Sequence, residues 1–246
     1  TATVSGASGA GSVVKVFNTN YVTIDGSNSV GGATRDLTLE NTSATTPNVV
    51  WFGSSGTTPI TNGSLKNCVV RNGVNTSSAI VISDGTIAGN AGYFSSMEVR
   101  NNKIEKAYIG VYANGGTTPQ NGSGLTYAGN ELNASGTNAI RHVGLYVQGV
   151  SGAVVANNDI GNFEVATGEN DFGIWLATGA TSSTVNANRV HDILYTGTFG
   201  YGPKGVAAST GVAAANITIS NNMIFNMAGD GDSYSSYGCT YSPVGI

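Results

Sequence analysis

The sequence predicts an all-β fold, a single-stranded right-handed parallel β-helix, or solenoid, of about eight coils. Three observations support this. Short segments of alternating apolar residues recur at a fixed period, the composition is dominated by residues that disfavour helices, and no segment shows the stripe of an amphipathic helix. The right hand is the general preference of crossovers between parallel strands, since the repeats themselves do not define it.

The first series of repeats combines a strand-like alternation, a pair of asparagines and a further apolar residue. It reads MEVRNNKI at 97–104, AVVANNDI at 153–160 and ITISNNMI at 217–224, and looser copies begin at residues 37, 68, 125 and 183. Side chains two positions apart share one face of a strand, so we expect three apolar columns inside the coil. The columns are Leu37, Cys68, Met97, Leu125, Ala153, Ser183 and Ile217; Leu39, Val70, Val99, Tyr127, Val155, Val185 and Ile219; and Ile104, Leu132, Ile160, Val190 and Ile224.

A second series of strand-like segments alternates with the first. Examples are IVISDG at 80–85, GLYVQG at 144–149 and GIWLATG at 173–179, and each copy ends in a glycine about 29–34 residues after the previous one. Each period therefore holds at least two short strands separated by turn residues. Stacked about 4.8 Å apart, equivalent strands of successive coils would form long parallel sheets.

The paired asparagines are interpreted as a structural corner. Asparagine tolerates the left-handed backbone that a sharp turn between strands needs, and Gly129 replaces it in one copy, as such a turn would allow. A sugar-binding amide pair, the alternative, would not accept glycine so readily. We therefore predict a ladder of stacked amides along the axis. Its members are Asn41, Asn72, Asn101, Asn102, Asn130, Asn157, Asn158, Asn188, Asn221 and Asn222.

Bulk composition excludes some classes of function. Only 10% of the 246 residues are charged, against about 25% in an ordinary domain. Ten scattered Lys and Arg residues and a net charge of −4 give no basic surface for nucleic acid. No apolar stretch reaches the length of a membrane span.

Two regions are expected. Residues 1–228 form the β-helix, and 229–246, rich in Ser, Tyr and Gly, form a tail, a cap or the start of a further coil. The two cysteines, Cys68 and Cys239, fall several coils apart. At about 4.8 Å per coil this exceeds the reach of a disulfide unless the tail folds back.

The Asn-Asn-x-Ile coils resemble the right-handed parallel β-helix repeat of pectate-lyase-like proteins over most of the chain. The segment NYVTIDGSNSVGGATRDLTLENTS at 20–43 is similar to repeats in very large surface and secreted proteins of Gram-negative bacteria that use the type IX secretion system. This resemblance implies an extracellular or bacterial cell-surface location and a structural or adhesive role, as a mature secreted protein or as one segment of a longer chain. It names no catalytic residues. Because both ends of a β-helix expose unpaired strand edges, end-to-end or other self-assembly is a further expectation.

The alternative is a polysaccharide lyase or hydrolase, or a carbohydrate-binding module, on the same fold. A polygalacturonase-type set is missing, since the sequence has no Asp-Asp, Gly-His-Gly or Arg-x-Lys. A lyase would take its residues from different coils, and the candidates are Arg189 and His191 as base with Lys204 assisting. Column alignment places Arg189, His191 and the neighbouring Asp192 on the outside, where an ordinary polar turn is the simpler interpretation.

The sequence also offers candidate residues for binding sugars and calcium. Exposed aromatic rings stack on sugars, and Tyr195, Phe199 and Tyr201 cluster in the Gly-rich insertion 194–205. Tyr112, Tyr146 and Trp175 occupy equivalent places in consecutive coils, and Tyr108 is a candidate by position; packing inside the core is the other interpretation of that column. No cofactor is predicted, with calcium as the alternative, because carboxylates on turns can supply its oxygen ligands. The carboxylates are Glu169, Asp171, Asp230 and Asp232, and neither pair has a complete calcium-loop pattern.

The two functional hypotheses differ in what they expect on the outer faces. A structural or adhesive rod predicts no converging group of Arg, Lys, His and carboxylates in a groove. An enzyme predicts one, around Arg189 and His191. Polysaccharide or cell-surface glycans are the expected ligands in either case.

Overall fold

Four parallel sheets form a β-solenoid of about seven turns in the computed structural model, which describes residues 1–117, 121–231 and 243–246. The predicted parallel β-helix is confirmed. One sheet has eight strands and two have seven, which accounts for the difference between eight predicted coils and about seven turns.

The strands are short because each coil turns the chain sharply at every corner. In chain order the first thirteen are β1 (Ala2–Gly6), β2 (Ser12–Phe17), β3 (Thr23–Asp25), β4 (Leu37–Asn41), β5 (Asn48–Ser54), β6 (Ile60–Thr61), β7 (Ser64–Lys66), β8 (Cys68–Arg71), β9 (Ile80–Asp84), β10 (Phe94–Ser95), β11 (Glu98–Arg100), β12 (Lys103–Glu105) and β13 (Ala107–Asn114). The remaining strands are β14 (Gly122–Ser123), β15 (Thr126–Ala128), β16 (Glu131–Leu132), β17 (Ile140–Gln148), β18 (Val150–Ser151), β19 (Val154–Ala156), β20 (Asp159–Val165), β21 (Phe172–Leu176), β22 (Thr184–Asn186), β23 (Arg189–Tyr195), β24 (Lys204–Ala208), β25 (Thr218–Ser220) and β26 (Met223–Ala228). A 3-10 helix occupies Gly136–Asn138.

Each coil contributes one strand to each of three sheets in a constant order, and the four middle coils add a strand to a fourth sheet. We call the sheets A (β1-β4-β8-β12-β16-β20-β23-β26), B (β2-β5-β9-β13-β17-β21-β24), C (β3-β7-β11-β15-β19-β22-β25) and D (β6-β10-β14-β18). The chain runs from A to B to D to C and back to A. Beyond sheet B's last strand, Val244 forms a parallel bridge with Lys204, and Gly205 and Val206 donate backbone hydrogen bonds to residues 244 and 245.

The interior columns are those of the repeats, with one correction. Val99, Tyr127, Val155 and Val185 stack in sheet C and are fully buried, as expected. Leu39 and Val70 were predicted in that column but stack in sheet A, in register with Ile104. By the same shift, Leu37 pairs with Cys68 in sheet A and not in the column of Met97. The segments that begin at residues 37 and 68 were assigned to the wrong column because strands of sheets A and C have the same pattern. In both sheets, apolar and polar residues alternate before an asparagine.

An amide ladder runs up the corner between sheets C and A. In each step the Oδ1 atom of one asparagine accepts hydrogen bonds from the backbone N–H and the Nδ2 atom of its counterpart one coil earlier, at 2.9–3.2 Å. Each Nδ2 also donates to a backbone carbonyl of sheet C, such as Val99 and Tyr127. The members are Asn102, Asn130, Asn158, Asn188 and Asn222. Cys68 stands at the start of this column, and its N–H donates to Asn102 Oδ1 at 3.0 Å.

The asparagines that precede the ladder residues supply the turn itself. Asn67, Asn101, Asn157 and Asn221 have φ between 51° and 58°, and Gly129 has φ 64° at the equivalent place. These are the left-handed backbones that asparagine and glycine tolerate. The predicted ladder thus separates into an outer column that turns and an inner column that hydrogen-bonds.

Asn41 and Asn72 are not part of the ladder, because both belong to the end of a sheet A strand. Asn41 Nδ2 donates to the carbonyl of Asn48 at 2.7 Å, and Asn72 Nδ2 donates to that of Pro47 at 3.0 Å. Each therefore holds the turn between sheets A and B. Cys68 is a free, buried thiol, and burial raises its pKa to about 12. Cys239 lies outside the described residues.

A column of glycines runs through the strands of sheet B. Its members are Gly110, Gly144, Gly173 and Gly205, and a Cβ added at any of them would lie within 2.7 Å of the next coil's backbone oxygen. The side chains of Leu132, Ile160, Val190 and Ile224 fill the remaining space. These glycines differ from those that end each copy of the second repeat series. They stand near the start of each copy, where the next coil approaches too closely for a side chain.

Replacing a ladder asparagine should destabilise the fold strongly. Asn158→Ala removes the acceptor of the Asn130 N–H and the donor to the Tyr127 carbonyl, and both groups are buried. We expect a loss of about 2–4 kcal/mol in the free energy of unfolding, because each unpaired buried polar group costs about 1–3 kcal/mol. Urea denaturation measures it. The exposed Asn75→Ala is the control, and equal effects of the two substitutions would contradict the ladder's role.

A methyl group in the glycine column should also destabilise. In Gly144→Ala the new Cβ meets the Gly173 oxygen at 2.5 Å and Ile160 Cγ2 at 2.7 Å. Overpacking of this kind costs about 1–3 kcal/mol. At Gly89 a Cβ meets nothing within 4 Å. Thermal unfolding of Gly144→Ala and Gly89→Ala should therefore differ, and a Gly144→Ala variant as stable as the parent would show that the coils can separate at this point.

Candidate functional site

Two histidine–carboxylate clusters lie on the outer surface of the solenoid. The first contains Arg189 and His191, two of the candidate residues for catalysis, on β23 in sheet A. Arg189 Nη1 lies 3.0 Å from Asp159 Oδ1, and His191 Nε2 lies 2.9 Å from the same oxygen. His191 Nδ1 lies 2.5 Å from Asp192 Oδ2.

His191 is nevertheless not open to a substrate. Its imidazole leaves the coil outwards as predicted, but the residue is only 4% exposed. Phe225 of the next coil stacks on it at 5.3 Å, and Gly161 of the previous coil leaves room for the ring, since a Cβ there would lie 2.8 Å from its atoms. Lys204 belongs to sheet B, where its Nζ lies 5.6 Å from the Phe172 ring centroid. Lys204 therefore stands on a different sheet from Arg189 and His191, the candidates with which it was expected to act.

The second cluster is built on a β-bulge. Ala107 of β13 pairs with Ile140 of β17 and Ile109 pairs with Val143, so that Tyr108 alone opposes Arg141 and His142. A bulge of this kind re-aims side chains. Both Arg141 and His142 consequently reach the carboxylates of the turn that precedes β21.

His142, Glu169 and Asp171 bring three potential metal-ligating atoms within 4.8 Å of one another. His142 Nδ1 lies 3.2 Å from Asp171 Oδ1 and 3.9 Å from Glu169 Oε2. Tyr108 Oη donates to Glu169 Oε2 at 3.0 Å, and Arg141 pairs with Glu169 Oε1 at 3.0 Å. Tyr108 also stacks on the His142 ring at 4.6 Å. The side chains are thus held in place by one another.

Asp171 has an unusual environment for a carboxylate. The residue is 1% exposed, and among the described residues its Oδ2 atom has no hydrogen-bond partner. Burial raises its pKa to about 6, and the hydrogen bond to His142 opposes this shift only in part. Burial likewise lowers the pKa of nearby Lys204. Shifted groups of this kind accumulate at functional sites, although structural clusters also produce them.

A row of aromatic rings on the outer face of sheet B leads to this cluster. Trp51, Val81, Tyr112, Tyr146, Trp175 and Ala207 pair in register through successive coils. The neighbouring core column is Val50, Ile80, Val111, Leu145, Ile174 and Val206. The predicted column of Tyr112, Tyr146 and Trp175 therefore faces outwards.

The rings of the row differ in what they offer to a ligand. Tyr112 and Tyr146 stack on each other at 5.1 Å, which uses their faces. Trp175 is perpendicular to Tyr146 and stacks on Phe172. Because small Ala207 follows Trp175 in the row, a groove of about 330 Å³ opens there, lined also by Asn170, Phe172 and Lys204.

The remaining predicted binding residues lie elsewhere. Tyr195 is buried and its hydroxyl accepts the Phe199 N–H, whereas Phe199 itself is 75% exposed. Tyr201 packs edge-on against Tyr195. Of the predicted calcium ligands, Asp230 is exposed and accepts the Gly200 N–H at 3.0 Å, and Asp232 lies outside the described residues. Only Glu169 and Asp171 come together.

The histidine of the second cluster was missed as a partner of Glu169 and Asp171. His142 follows Arg141 just before a strand of the second repeat series. Simple alternation would send the two side chains to opposite faces. One feature of the sequence could have revealed the bulge. The copy of the second repeat series at 144–149 carries one extra residue before its Gly-Leu-Tyr motif.

Searches against protein-family models, curated proteins and solved structures find no match to this chain. Among the residues that the structure describes, no helix combines the length and apolarity needed to cross a membrane.

Glu105, the last residue of β12 in sheet A, provides a pH test of a buried ion-pair cluster on this sheet. It is 3% exposed and binds Arg71 at 2.8 Å and Lys103 at 2.6 Å. Burial alone would raise the pKa of Glu105, but the hydrogen bonds and charges of Lys103 and Arg71 outweigh it and hold the pKa below its ordinary value. The ionised carboxylate is therefore favoured in the folded state.

Glu105→Gln should cost about 2 kcal/mol at pH 7, the scale of a hydrogen bond to a charged group. Since the folded pKa is the lower one, this stabilisation is complete above the ordinary pKa of about 4.3 and is lost as the pH falls through the folded value. Urea denaturation from pH 7 to pH 3 should show the parent and the variant converging. Glu98→Gln, which alters an exposed pair with Arg100, should have little effect at any pH. A gap that persists unchanged to pH 3 would contradict the assignment.

Proposed function

We propose that the chain is a rigid adhesive module that acts outside a bacterial cell and binds a glycan in the groove at Trp175. The observation that carries this proposal is the outward aromatic row that ends beside Phe172 and Lys204. Aromatic faces and a few polar groups are what a carbohydrate site needs. The groove's volume of about 330 Å³ is at the lower end of ligand pockets, which fits one or two sugar residues of a longer polymer.

The remaining surface supports a role as a rod. Its charges are mostly paired along the axis, as in Arg71 with Glu40 and Glu105. A groove of about 460 Å³ on sheet C is lined by Ser, Thr, Asn and Gly residues with Lys66 and Glu98, and has no aromatic side chain. The extracellular location, the right-handed pectate-lyase-like class and the similarity of 20–43 to type IX-secreted proteins remain proposals that rest on the sequence. Assembly into a longer chain or end to end belongs with them.

A glycan array with the full chain tests the proposal. Trp175→Ala should weaken binding of the selected glycan about tenfold or more, since loss of a central aromatic contact exceeds about 1.4 kcal/mol. Phe199→Ala removes a more exposed aromatic side chain from the insertion 194–205 and should leave affinity unchanged. If Phe199→Ala abolishes binding and Trp175→Ala does not, the insertion is the sugar site. Absence of binding to any glycan would overturn the proposal.

A second candidate function is a polysaccharide lyase, which the position of Lys204 favours. Burial lowers the pKa of this amine, as a proton-abstracting base requires, and it lines the groove beside the His142 cluster. Incubation with uronate polysaccharides should then yield unsaturated products with ultraviolet absorbance, and Lys204→Met should abolish them. No absorbance with the parent protein rejects the lyase while leaving glycan binding to be judged by the array.

A further inference from the structure

We propose that His142, Glu169 and Asp171 bind a divalent transition-metal cation of the zinc type through one imidazole nitrogen and two carboxylate oxygens. This proposal does not depend on glycan binding. In the sequence, Glu169 and Asp171 are candidate calcium ligands. The bulge adds the imidazole of His142 to them, and this nitrogen donor favours a different class of cation.

The unpaired oxygen of Asp171 is the observation that points to a ligand. Its side chain is completely buried, yet Oδ2 receives no hydrogen bond. Leaving a buried carboxylate oxygen unpaired destabilises the fold more than leaving a neutral polar group unpaired. A cation bound between this carboxylate and His142 Nδ1 would supply the missing interaction.

The other groups of the cluster support the ligands. Glu169 is oriented by Tyr108 at Oε2 and by Arg141 at Oε1, which leaves a lone pair of Oε2 for a metal. His142 is held by stacking on Tyr108 and by the edge of Phe172 at 6.1 Å. Outer partners of this kind fix the orientation of metal ligands.

The donor set decides the class of cation. Calcium prefers six to eight oxygens, whereas one imidazole with two carboxylates suits zinc and neighbouring transition metals. Zinc ligands at about 2.0–2.2 Å lie about 3.4 Å from one another in a tetrahedron. The observed separations of 3.2 and 3.9 Å from His142 Nδ1 are close to this value, and all three ligand atoms lie within 4.8 Å of one another. Three protein ligands would leave a fourth position open.

The first cluster cannot hold one ion in this way. Asp159 and Asp192 flank opposite nitrogens of His191, so their oxygens lie on opposite sides of the ring. The chain has only two histidines, and His191 is therefore a matched control. Asn133 follows β16 at the place that His191 holds two coils later, so the fold accepts asparagine at this register position.

The test uses the full chain, stripped of metal with a chelator and then dialysed against zinc, calcium or magnesium chloride. Metal analysis should find about one zinc per chain, and zinc should bind more tightly than calcium. Asp171→Asn and His142→Gln should weaken zinc binding at least about tenfold, and His191→Asn should retain it. No zinc in the parent protein, tighter calcium binding, or undiminished binding in folded Asp171→Asn would each overturn the proposal.

A second measurement does not depend on the folding of the ligand variants. In His191→Asn a single histidine remains, so its imidazole nitrogens can be followed by NMR without ambiguity. Zinc should shift the Nδ1 resonance of His142 strongly. An unchanged resonance at saturating zinc would place the metal elsewhere and sink the assignment.

Discussion

Stacking of coils at about 4.8 Å is the constraint on which the rest of the structure depends. A sharp corner in every coil leaves backbone N–H groups that no strand can pair, and at the corners between sheets C and A the residues Asn102, Asn130, Asn158 and Asn188 that carry them are buried. The amide of Asn130 solves this problem for the coil before it, because its Oδ1 accepts both the backbone and the side-chain N–H of Asn102. Its own Nδ2 binds the carbonyl of Val99. The same Nδ2 also donates to Asn158 Oδ1 in the next coil. One side chain per coil thus satisfies groups in both neighbouring coils, and the packing of this corner depends on asparagine.

The same stacking makes departures from the pattern informative. Where coils are equivalent, outer residues cover one another, as Phe225 covers His191. A binding site therefore needs a place where the adjacent coil leaves an outer side chain uncovered. Ala207 leaves the Trp175 side of the groove uncovered, and the bulge at Arg141 and His142 sends two side chains outwards where neighbouring coils send one.

Periodicity predicted the fold, the inward columns from Met97 onward and the left-handed turns, because each of these depends on residue type at a fixed spacing. It failed for Leu39 and Val70, since strands of sheets A and C carry the same alternation. Lys66 and Asn67, just before Cys68, correspond to Arg100 and Asn101. Aligning these two pairs would have placed the segment that begins at Cys68 in the correct sheet. The His142 cluster was beyond periodicity, because a one-residue bulge changes which face a side chain occupies without changing the motif. Burial of His191 was equally hidden, since it depends on the size of Phe225 in the next coil.

The two histidine clusters show why residue types alone do not define a site. Each joins an imidazole, an arginine and two carboxylates across adjacent coils. Around His191 the carboxylates lie at opposite ring nitrogens and leave no shared space, and Phe225 closes the face; that arrangement ties coils together. Around His142 both carboxylates lie on the Nδ1 side, and one of their oxygens is buried without a partner. The first cluster is complete as it stands, whereas in the second a buried carboxylate oxygen accepts no hydrogen bond from the described residues, which is the feature that the proposed metal site rests on. Packing of the adjacent coil therefore decides which of two chemically similar clusters serves stability and which can serve function.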